Sequence, residues 1–91
     1  MQNYFQKEYD IVKFVRVNGQ YRFTHLMNDH INLVKNGEKA ESAGFVQYDT
    51  NKDGKRFMSL LNESSMTLNY LGPEDVDGPA IASLLGYELR N

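Results

Sequence analysis

Cysteine is absent from the 91 residues. That removes disulfides, thiol nucleophiles and thiolate metal sites together, and it fits a reducing compartment, so we expect a cytoplasmic protein. Long apolar runs are absent as well: none approaches the roughly 18–20 residues that span a bilayer, and no membrane partner is expected. The start, MQNYFQKEYD, has no basic run followed by an apolar stretch, so we expect no signal peptide. An excess of positive charge is also lacking. The net charge is −2, which leaves no overall basic field to hold nucleic acid. Neither G-x-x-x-x-G-K nor G-x-G-x-x-G occurs, so no phosphate loop is expected.

What is present fits one small domain spanning 1–91. Apolar residues make up 41% of the chain and include 6 Tyr and 5 Phe, enough for one modest core. Charge is uneven along the chain. Residues 1–24 hold four basic and two acidic side chains, while 63–91 hold Glu63, Glu74, Asp75, Asp77 and Glu88 against Arg90 alone.

Hydrophobic patterning predicts an α+β fold. DIVKFVRV (10–17) and QYRFTHL (20–26) flank Asn18-Gly19, the dipeptide that tolerates the positive φ of a type I′ hairpin turn. AGFVQYD (43–49) and KRFMSLL (55–61) flank TNKDG, giving a second hairpin at 50–54. MTLNY (66–70) reads as a further strand. Residues 27–36 fit either a strand or a short helix, closed by Asn36-Gly37. PEDVDGPAIASLLG (73–86) reads as a helix with acidic residues at its start and a glycine at its end. Pro79 leaves its beginning open between 73 and 78, because a proline is tolerated only in the first turn. The expectation is a small antiparallel sheet of about five strands with one C-terminal helix.

The stretch DTNKDGK (49–55) begins like an EF-hand loop, with Asp49, Asn51, Asp53 and Gly54 at ligand or turn positions. Position eight is Arg56, position twelve is Leu60 and the flanks are strand-like, so we read it as a hairpin tip and expect no metal. His25 and His30 lack the spacing and third ligand of a zinc site. Ser42, Ser59, Ser64, Ser65 and Ser83 lack a nucleophile-elbow context. Glu38/Glu41 and Glu74/Asp75 are paired carboxylates that fit loop and helix-start roles. No enzyme and no cofactor is expected.

Binding is the remaining class. Tyr21, Arg22 and His25 follow the first turn, and Lys55 and Arg56 follow the second. Cations beside aromatic residues suit an anionic ligand such as a nucleotide. Strand alternation accounts for the same pattern without a ligand. Gly44 is a glycine within a strand, which marks either a bulge packed against the C-terminal helix or a close backbone approach, with Ser42 and Gly44 bordering a ligand or a partner subunit. A domain this small has sheet edges to cover, and a homo-oligomer is expected. The alternative is an inhibitor or adaptor whose acidic end, Glu74, Asp75 and Asp77, docks on a basic protein partner.

GEKAESAGFV (37–46), SSMTL (64–68) and PED (73–75) resemble a group of small uncharacterised proteins from tailed phages and their bacterial hosts. Ser42-Ala43-Gly44-Phe45-Val46 matches as it stands, Ser64–Leu68 departs from the S-x-S-L-like pattern, and Gly78-Pro79 is unusual within the helix. The resemblance covers 37–85. It implies a phage-type origin and supplies no activity. For a phage protein in a host cytoplasm, our own expectation is an antagonist of host defence that acts by occupancy, sequestering an anionic, nucleotide-like ligand at an oligomer interface.

Overall fold

Asn18 and Gly19 both take positive φ, 52° and 76°, and fold residues 11–25 into a tight hairpin. In the computed structural model, which describes residues 10–51 and 53–90, this hairpin pairs β1 (Ile11–Val17) with β2 (Gln20–His25). The described residues begin at Asp10, so the reading of the N-terminal segment as no signal peptide lies outside them. β1 also pairs antiparallel with β3 (Ser42–Thr50), and β3 pairs antiparallel with β4 (Arg56–Leu60). The second hairpin thus falls where TNKDG places it. Asn51 builds its loop: the side-chain oxygen accepts the N–H groups of Asp53 and Lys55 at 3.0 and 2.9 Å.

The helix α1 runs Asp77–Leu85. Pro79 sits in its first turn, where an N–H has no partner within the helix, so its ring breaks nothing. Gly86, at φ 72°, ends it in the left-handed conformation, and Tyr87 N–H returns to the Ala82 carbonyl at 2.9 Å.

Two features differ from the sequence expectation. The sheet has five strands in the order β2-β1-β3-β4-β5, and the fifth is β5 (Glu88–Leu89), parallel to β4. The sheet is therefore mixed. A helical crossover returns the chain in the same direction, and two residues are too short to show alternation. The predicted strand at 66–70 is instead a short three-ten turn, Met66–Leu68. Asn69 and Tyr70 follow at φ 55° and 62°, values no strand can hold, and only one bridge, Ser65 to Leu71, remains. Residues 27–36, open between helix and strand, contain a three-ten turn at His30–Leu33.

The sheet is covered unequally. On one face Val12, Phe14, Val46, Tyr48 and Met58 pack under Ile81 and Ala82 of α1. On the other, Val15, Val17 and Ala43 are covered by Leu33, Val34, Ala40, Leu68 and Leu71 from the two irregular segments. Burial on both faces explains why FVRV reads as a near-continuous apolar strand. No described helix is long and apolar enough to cross a membrane.

Candidate functional site

The second covering layer leaves an open groove of about 650 Å³ where residues 31–40 meet 67–71. Its floor is aliphatic, built from Ile31, Val34, Ala40, Leu68 and Leu71. Lys35, Asn36 and Lys39 stand on one rim, and Thr67 and Asn69 on the other. The Ile31 N–H donates to Thr67 Oγ1 at 3.3 Å, which ties the two walls together.

The rim carrying the lysines is fixed by a clasp. Arg22 Nη1 and Nη2 donate to the two oxygens of Glu38 at 2.7 and 2.8 Å, and Nη1 also reaches the Leu33 carbonyl at 2.8 Å. Glu38 Oε1 accepts the Lys35 N–H at 2.7 Å, and the Glu38 N–H closes the turn on the Lys35 carbonyl at 3.0 Å. Gly37, at φ 87°, allows that reversal. The Arg22 bonds, and then the Lys35 N–H, hold the Glu38 carboxyl down to about 2. The Arg22 guanidinium is raised in turn. Glu38, the one acid lining the groove among the described residues, is thus neutralised, and exposed Lys35 and Lys39 set the sign of the groove.

Other candidates fall elsewhere. Tyr21 is on the helix side of the sheet, its hydroxyl donating to Asp77 Oδ1 at 2.7 Å. Asp77 is wholly buried; it also accepts from Arg16 Nη1 and from the Glu74 N–H, each at 2.8 Å. Arg16 further binds Glu74 and, at 3.2 Å, Glu41. This cluster fastens the start of α1 to β1. The hydrogen bond to Glu74 is the main reason the Arg16 guanidinium is raised, while burial and then the contact with Asp77 raise the Tyr21 hydroxyl. Of the acidic set Glu74, Asp75 and Asp77, only Asp75 is both exposed and outside this cluster.

Ser42 and Gly44 lie inside the sheet. Ser42 is fully buried, and a Cβ on Gly44 would meet the Phe14 ring at 2.9 Å. The bulge-or-ligand signal of that glycine is a close approach by a core ring. His30 is also interior, 2% exposed, with Nε2 2.8 Å from the Gly44 carbonyl. His25 ends β2, half-buried. Lys55 and Arg56 are exposed beyond the second turn, and Arg56 lies 5.9 Å from the Tyr87 ring. Arg22 is level with Ala43, whereas Arg56 pairs with Thr50. Seven strand steps, roughly 23 Å, separate them. Arg22 and Arg56 therefore do not meet on one small ligand within a single chain.

The sequence does not single out Lys35 and Lys39, and it presents Glu38 as half of a carboxylate pair; the available signal is the flanking of Asn36-Gly37 by lysines. Compared with known proteins, the chain matches no family model, no curated protein and no solved structure.

Proposed function

We propose that this chain is a small non-enzymatic binding protein that acts by occupancy, holding a small anionic ligand in the groove between 31–40 and 67–71. One observation carries this reading. Among the described residues, an aliphatic lining is joined by one acid, Glu38, which Arg22 neutralises, and by exposed Lys35 and Lys39. The volume falls within the usual range for small-molecule sites, about 300–1,000 Å³. The clasp fixes that rim before any ligand arrives, which lowers the ordering cost of binding. A nucleotide-like anion is one member of this class. In a phage setting, the ligand would be a host anion withdrawn from its own receptor.

The test is thermal unfolding against a panel of anions: nucleotides, cyclic dinucleotides, inorganic phosphate and carboxylates. A binder present at 100 times its Kd stabilises the fold by about 2.7 kcal/mol, a shift of several degrees in a domain of this size. The double substitution Lys35→Gln, Lys39→Gln is expected to abolish the shift, while Lys55→Gln leaves it unchanged. A panel-wide absence of any shift sinks the proposal.

A further inference from the structure

The composition of the groove narrows the ligand class. Bases are held on proteins chiefly by stacking on aromatic rings or on guanidinium planes. Among the described residues, neither an aromatic side chain nor a guanidinium lines this groove. The lining offers instead branched aliphatic side chains from two segments, Ile31 and Val34 facing Leu68 and Leu71. Ile31 is 49% exposed, so part of this surface is open to water. Both lysines, Lys35 and Lys39, belong to the 31–40 segment, and the 67–71 segment contributes none. An amphipathic anion matches that layout, with its charged end at Lys35 and Lys39 and its chain along the floor.

We infer that the ligand is an aliphatic carboxylate or a related acyl anion. The inference rests on the ligand-binding reading of this groove. Lysine acts as a point charge and does not demand the planar, bidentate partner that arginine prefers, so a single carboxylate between two lysines is well served. Asn36 and Asn69 also line the groove, and an Asn side chain carries amide donors suited to the remaining oxygen lone pairs.

Amide chemical shifts of the full chain, followed during titration with butyrate, hexanoate and octanoate below their micelle concentrations, provide the test. The expected result is perturbation confined to residues 31–40 and 67–71. Affinity should rise about fourfold per added methylene, the ratio for burying one CH₂ group. Lys35→Gln and Lys39→Gln should each weaken every member of the series by a similar factor, and added salt should do the same. If adenosine monophosphate or a cyclic dinucleotide perturbs these residues and the carboxylates do not, the acyl inference falls and the groove reading stands. If no anion perturbs them, both fall. If the same amides shift on dilution of the protein alone, a second copy covers the groove and the acyl inference is overturned.

Discussion

His30 shows how one side chain couples the interior to pH. The Gly44 carbonyl only accepts, so the neutral ring carries its proton on Nε2. Its ring meets Phe45 edge-on, with centroids 4.9 Å apart. Burial, more than any other influence, pushes the imidazole below its ordinary 6.5; Lys13 adds to this, while the Gly44 bond and Asp29 oppose it. The unfolded chain therefore takes up a proton first. The stability that neutral His30 confers is complete above pH 6.5 and is lost as pH falls from 6.5 towards the folded value. Urea midpoints measured between pH 7.5 and 5 should fall, and His30→Gln should flatten that slope. Ser42 gives a second expectation at this scale. Its hydroxyl is buried without a hydrogen-bond partner among the described residues. Ser42→Ala removes an unsatisfied polar group and is expected to raise stability by up to about 1 kcal/mol in urea unfolding.

At the scale of elements, β3 is held close to β1 by an absent side chain. Gly44 lies opposite Phe14, with Pro73 3.5 Å from where its Cβ would stand. Phe14 is fully buried, so a Cβ at position 44 would displace packed core atoms. Gly44→Ala is therefore expected to destabilise by about 1–3 kcal/mol, the usual range for overpacking. The 33–39 segment depends on its clasp in the same way. Arg22→Lys retains the charge and loses the two-pronged geometry, so amides 35–38 should exchange faster with solvent while the sheet stays protected.

These elements divide by how local their causes are. Both hairpins were legible because Asn18-Gly19 and Asn51–Gly54 encode their own turns. The end of α1 was legible at Gly86, and its start was bracketed by Pro79. The 66–70 segment was not legible: MTLNY alternates like a strand, and nothing local announces positive φ at Tyr70. β5 exists only because α1 delivers Leu89 beside Met58. The groove was equally hidden, since its walls are distant in sequence and Glu38 acquires its role only when β2 brings Arg22 across.

For the molecule as a whole, Arg16 is a polar tie between β1 and the start of α1. It joins β1 to Glu41, Glu74 and Asp77. Asp77 is wholly enclosed, so removing it leaves Arg16 Nη1, the Tyr21 hydroxyl and the Glu74 N–H without their acceptor, while Glu41 and Glu74 still hold the guanidinium. Asp77→Ala is expected to destabilise by about 1–3 kcal/mol, the range for leaving buried polar groups unsatisfied, measurable by chemical denaturation. Leu→Ala at position 84, which is 61% exposed, should change stability by less than about 0.5 kcal/mol.

The tip of the second hairpin has a consequence for covalent continuity. Asp53, Gly54, Lys55 and Arg56 are all exposed, so trypsin has ready access after Lys55. A cut there separates β1, β2 and β3 from β4, α1 and β5. Neither piece owns a complete core, because α1 packs on strands of the first piece and β4 pairs with β3. The β3–β4 ladder, the shared core and the Arg16 ties all cross the cut. The nicked protein should remain a single folded particle, and two separately made halves, 1–55 and 56–91, should reconstitute it on mixing.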